Sequence, residues 1–197
     1  MANTATRSTQ YLVVLDGQSF NVIPTAPNNF ASQIMRYFPH VSFKNPSKSA
    51  TSWDELYSRA PQEVWPEAAR AATSILVMNG GTSDVGDGDS GSLIYSDQRA
   101  YAQAARAAGF DKIMTVTIIP YGGIAGSFET NRLAGNTQLK ANADGAFDAV
   151  VDFAGDARLQ DPTNLTYFQA DQTHPCWPGG VGVEVELALP TLRQWIK

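Results

Sequence analysis

Two short segments carry side chains that together do nucleophilic chemistry. Ser19 closes Gly17-Gln18-Ser19 after an apolar run, and Asp171-Gln-Thr-His174 lies near the carboxyl end of the chain. A serine hydroxyl needs a base near neutral pH, and imidazole is the usual one. That imidazole needs a carboxylate to fix its tautomer. A spacing of three lets Asp171 and His174 reach one site from a turn or a helix start. A serine on a strand-to-helix turn exposes its hydroxyl beside backbone N–H groups that cradle an oxyanion. Taken singly, each motif is equally an ordinary turn serine or a solvated surface pair. Their placement distinguishes them: one follows the first apolar run, the other precedes the last helical segment.

The elements that must position these groups alternate in texture. Tyr11–Leu15, Ser74–Met78, Lys112–Ile119 and Ala149–Phe153 are apolar, β-branched runs that read as buried strands. His40–Phe43 reads as a short strand beside the first. Helical segments fall between them: Asn29–Phe38, Ser52–Ser58 with Glu55 at capping-box spacing, Pro66–Thr73, Ser96–Ala108 closed by Gly109, Asn131–Ala143, and Val181–Ile196, which Pro190 should kink or split. Gly80–Gly91 and Pro120–Ser127 read as loops. Runs buried on both faces suit a parallel sheet, and the β-α alternation predicts a three-layer α/β/α sandwich. In such sheets ligands bind beyond the carboxyl ends of the strands. Asp16–Ser19, Asn79–Asp84 and Pro120–Gly123 should therefore share one edge.

Composition narrows the chemistry. The chain has 197 residues, two histidines, one cysteine and a formal net charge of -5. One cysteine forms no internal disulfide and no multi-thiolate metal site. The acidic balance argues against a nucleic-acid partner. No apolar run reaches the roughly 18 residues of a membrane span, and residues 1–10 have no signal-peptide core. Those ten residues read as a polar tail or linker to one domain over 11–197. That leaves two locations open: the cytoplasm, or a larger secreted or virion protein.

The ordered motifs resemble the SGNH/GDSL hydrolases, a broad group of esterases and lipases. Gly17-Gln18-Ser19 is similar to the first block of that family, and its Gln resembles the carbohydrate O-acetylesterase branches. Gly81-Thr82-Ser83-Asp84 is similar to a later Gly-x-Asn-Asp block, and Asp171 to His174, with Pro175 and Gly180, to the last. Asn131-Arg132 to Leu139 and Phe147 to Asp152 resemble the penultimate helix and strand. The resemblance implies a flavodoxin-like sandwich of about five parallel strands. It implies Ser19 as nucleophile, His174 as base and Asp171 as its orienting carboxylate. The oxyanion donors would be the N–H groups of Ser19 and Ser49 and the Ser83 hydroxyl. Gln18, Asp84 and Trp177 would meet substrate, and no metal or organic cofactor is needed. The expected substrate is a small acyl ester, acetyl first, on a small molecule or a polysaccharide.

Two departures keep a second reading open. The family has a glycine in its second block, but this chain has none from Gln18 to Asn79; Ser49 stands at the matching place. Ser83 replaces the asparagine of Gly-x-Asn-Asp. A weakened or inactive SGNH-fold module, binding a glycan or serving as part of a larger protein, is the alternative. Other motifs are weaker. Gly88-Asp89-Ser90-Gly91, with His40 and Asp54 or Asp84, follows the order of chymotrypsin-like proteases, but those are all-β and Ser96–Gly109 is helical. Asp84, Asp87 and Asp89 lack the glutamate of a calcium loop. Cys176 reads as a structural thiol.

Overall fold

The computed structural model describes residues 9–123 and 126–197. The expected polar tail lies outside the described residues, except for Thr9 and Gln10, which belong to the first strand. Five parallel strands form one sheet: β1 (Thr9–Gly17), β2 (Ser42–Lys44), β3 (Ala71–Asn79), β4 (Lys112–Val116) and β5 (Ala149–Val151), in the order β2-β1-β3-β4-β5. The helices are α1 (Phe30–Arg36), α2 (Trp53–Glu63), α3 (Thr82–Asp87), α4 (Gly91–Ala108), α5 (Ser127–Ala141) and α6 (Gly179–Trp195).

Strand β1, flanked by β2 and β3, shows why its sequence is apolar without a break. Tyr11, Val13 and Leu15 face one layer, with Phe30 and Ile34 of α1 and Val181, Ala188 and Leu192 of α6. Leu12 and Val14 face the other, with Trp53 and Leu56 of α2 and Tyr101 and Ala105 of α4. Strand side chains alternate, so burial on both faces demands apolar residues at every position. The three-layer sandwich follows. Among the described residues, no helix is long and apolar enough to cross a membrane.

Several boundaries differ from the sequence reading. Pro66–Thr73 is not a helix: a single 3₁₀ turn covers Trp65–Glu67, and β3 begins at Ala71. Ala71 lies opposite Thr9, so pairing with the long β1 overrides alanine's helix preference. The Gly80–Gly91 loop contains α3. The next helix starts at Gly91 rather than Ser96, because Ser90 caps it by accepting the Leu93 N–H at 3.2 Å. β4 ends at Val116; beyond it, the Asn136 side chain takes both Ile118 backbone groups, accepting its N–H and donating to its carbonyl, each at 2.8 Å. Pro190 does not split α6. It sits on the exposed face of the helix. The Ser52 cap and Glu55 form the expected box, with the Ser52 N–H donating to Glu55 at 3.0 Å.

Candidate active site

The turn after β1 is built on contact with β3. Gly17 lies opposite Asn79 with φ +153°, and a Cβ there would stand 2.0 Å from the Asn79 carbonyl oxygen. That carbonyl accepts the Gln18 N–H at 2.9 Å. The chain then turns into a 3₁₀ helix over Ser19–Asn21, with Ser19 half-buried at its start. The first N–H groups of such a turn have no partner within it and point outward as donors. The loop after β2 braces the turn. Asn21 Nδ2 donates to Ser47 Oγ at 2.9 Å, Ser47 Oγ to the Leu15 carbonyl at 3.0 Å, and the Lys48 N–H to the Gly17 carbonyl at 3.0 Å.

Gln18 and Asp84 occupy a different place from the substrate-facing one expected of them. Both are fully buried. Gln18 Nε2 donates to Asp84 Oδ2 at 2.7 Å, while Gln18 Oε1 accepts the N–H groups of Gly81 at 3.0 Å and Ser83 at 3.1 Å. Asp84 Oδ1 accepts the Trp53 N–H at 2.8 Å. Burial raises the Asp84 carboxyl above its usual range, against the opposing pull of the Trp53 and Gln18 donors. The pair ties the turn after β1 to the starts of α2 and α3.

Asp171 and His174 meet as their spacing implied. Asp171 Oδ1 accepts the N–H of Thr173 at 2.9 Å and of His174 at 3.0 Å, which closes the turn. Asp171 Oδ2 lies 2.7 Å from His174 Nδ1. Burial disfavours the ionised Asp171, but the hydrogen bonds from the His174 ring and the two N–H groups outweigh it and hold the carboxyl below its usual range. A carboxylate on Nδ1 makes that nitrogen the proton carrier and leaves the lone pair on Nε2. Nε2 is buried and has no partner among the described residues. The ring packs against Phe20, the residue after Ser19, with centroids 5.5 Å apart. The strand-end loop 120–123 docks on the same turn, where the Gly122 N–H donates to the Gln172 carbonyl.

The remaining expected residues are spread around this edge. Ser49 is exposed in the bracing loop, and the left-handed residue there is its neighbour Ala50, at φ 55°. Ser49 therefore does not take the conformation that glycine favours. Ser83 is half-buried in the first turn of α3, its N–H held by Gln18. Trp177 is exposed three residues beyond His174. Ser90 is a helix cap and His40 is an exposed residue on another loop. The Cys176 thiol donates to the Thr166 carbonyl at 3.2 Å. Of two further polar groups behind the turn, Asn79 was expected at this edge and Glu184 escaped the sequence reading. Asn79 ends β3 with a buried Nδ2 that has no partner among the described residues, and the fully buried Glu184 of α6 has an equally unpartnered Oε2. A signal for Glu184 existed: it stands between Val181 and Ala188 on the apolar stripe, at i+3 and i−4.

No protein-family profile matches the sequence, and no curated protein sequence matches it. Solved structures do. A member of the lipolytic protein G-D-S-L family from Veillonella parvula superposes with a TM-score of 0.76 at 17% identity, over 93% of this chain and 99% of that one. A lipase/acylhydrolase from Enterococcus faecalis gives 0.74 at 14% identity, over 95% and 98%. An acetylxylan esterase from Geobacillus stearothermophilus gives 0.70 at 12% identity, over 93% and 94%. The architecture is thus the SGNH hydrolase fold, present over nearly the whole chain.

Proposed function

We propose that this chain is a serine carboxylic ester hydrolase working through an acyl-enzyme. The observation that carries the reading is the Asp171–His174 couple, at 2.7 Å with Nε2 unpartnered, against the residue that follows Ser19. Ser19 Oγ attacks the acyl carbon while His174 Nε2 takes its proton. Asp171 stabilises the imidazolium. The N–H groups at the start of the Ser19 turn receive the developing oxyanion, with the N–H of Ser49 and the Ser83 hydroxyl as the further donors the resemblance implies. The imidazolium returns the proton to the leaving alcohol, and water then deacylates Ser19 by the same path in reverse. A small acyl group, acetyl first, on a carbohydrate is the preferred substrate. The exposed Trp177, three residues beyond His174 in the chain, supports it, as an aromatic face for a sugar ring.

Hydrolysis of p-nitrophenyl acetate tests the activity. The purified chain should turn it over, and Ser19→Ala should lower the rate by about 10³-fold or more. Unchanged turnover in that variant ends the assignment. A non-catalytic glycan-binding module on the same fold is the competing reading, because Ser83 stands where the family has an asparagine donor. It predicts retention on acetylated xylan without release of acetate.

A further inference from the structure

The inner face of α6 carries a carboxyl group that the reaction above does not use. Glu184 is 1% exposed and its Oε2 has no partner among the described residues. It borders a cavity of about 10 Å³ behind the nucleophile turn. Asn79, 5% exposed, borders the same cavity, and its Nδ2 also lacks a partner. The rest of the wall includes the apolar side chains of Phe20, Ile118, Ile119 and Phe153. An acceptor and a donor that face one small space, and do not reach each other, are bridged by a molecule that offers both functions. The volume is that of about one water, which needs two to four polar partners. Two are provided.

The position gives such a bridge a consequence. Asn79 is the residue whose carbonyl holds the Gln18 N–H and whose carbonyl oxygen forbids a side chain at Gly17. Phe20, which lines the same cavity, packs on His174. We propose that this cavity is a one-water site and that Glu184, as a neutral carboxyl, is a positioning residue for the nucleophile turn, acting through that water and Asn79. The neutral form is the one the surroundings favour. Burial alone pushes Glu184 up to about 8. Among the described residues that line the cavity, none but Glu184 is titratable. The charged groups behind its walls are engaged elsewhere: Asp152 accepts from Thr117 Oγ1 at 2.9 Å, Arg132 donates to the Ile118 carbonyl at 2.7 Å, and His174 is bonded to Asp171. On α6 itself, Glu186 pairs with Arg158 at 2.8 Å.

Glu184→Gln and Glu184→Ala test this, the first preserving the shape of the neutral acid. The rate readout rests on the esterase reading, but the water and the stability readouts do not. A high-resolution crystal structure of the unaltered protein should show one water within hydrogen-bond distance of Glu184 and Asn79. kcat/KM for p-nitrophenyl acetate should fall about tenfold between pH 7 and pH 9, the ratio of neutral carboxyl at those values. Glu184→Gln should lose that alkaline decline and keep the neutral-pH rate, while Glu184→Ala should lower the rate at both. The thermal midpoint should fall as pH rises from about 5 to about 8 in the unaltered protein, and less in Glu184→Gln. A dry cavity, or a Glu184→Gln variant whose midpoint tracks pH as the parent does, overturns the proposal. If Glu184→Ala does not fold, Glu184→Gln decides alone. A chain without esterase activity defeats the esterase reading and leaves the water and the midpoint to judge this one.

Discussion

Gln18 is the residue through which the site is assembled. Its amide satisfies one carboxylate oxygen and two backbone N–H groups in a region closed to water. Replacing it by leucine leaves all three unpaired, so Gln18→Leu should cost about 2–4 kcal/mol in urea unfolding. Gly17→Ala should cost about 1–3 kcal/mol by the same assay, because the added methyl meets the Asn79 carbonyl. Asp171→Asn should leave the fold intact and lower kcat by about 10³–10⁴-fold, since the imidazole then loses its tautomer control. At this scale the local signals were legible. Asp171 and His174 are three residues apart, and a short turn closes on itself. The burial of Gln18 and Asp84 was not legible, because it depends on partners 66 residues distant along the chain. Ala50, not Ser49, takes the left-handed turn for a similar reason: the bracing loop is set by what it grips, Leu15, Gly17 and Asn21, and not by its own letters.

Elements position these residues through their ends. α2 begins at the Ser52–Glu55 box, immediately before the Trp53 N–H that holds Asp84. Ser52→Ala should therefore cost about 1 kcal/mol and perturb the site more than a distant cap would. In the same helix Arg59 donates to Asp16 at 2.6 Å, where β1 nears its end, and Tyr101 of α4 donates to the other oxygen. Asp16 is fully buried. Arg59→Ala strands its charge and should cost about 3–5 kcal/mol, read from the denaturant midpoint. Strand order was legible because four of the five strands lie in apolar runs. The helices were legible in part, since α3 lies in a stretch that reads as loop and 66–73 reads as helix. Boundaries were lost where tertiary pairing outweighs propensity, as at Ala71, or where a cap lies within a glycine-rich stretch, as at Ser90.

The whole molecule binds one proton more than its unfolded chain through Glu184. Unfolded, this carboxyl ionises near its ordinary 4.5; folded, it stays neutral to about 8. The stability it contributes is full below 4.5 and is lost as pH rises through the folded value. Unfolding free energy should fall by about 1.4 kcal/mol per pH unit across that window from this group alone, and Glu184→Gln should flatten the decline. The sandwich brings the turn after β1, the end of β3 and the turn before α6 to one edge, from positions spread over 150 residues and more. The central claim is that Ser19 at that edge is a nucleophile activated by His174. A fluorophosphonate probe followed by peptide mass mapping tests it most directly. One label per chain on the Ser19 peptide, absent in Ser19→Ala and greatly slowed in His174→Ala, is the predicted result. No label, or a label on another serine such as the cap Ser90, would contradict it.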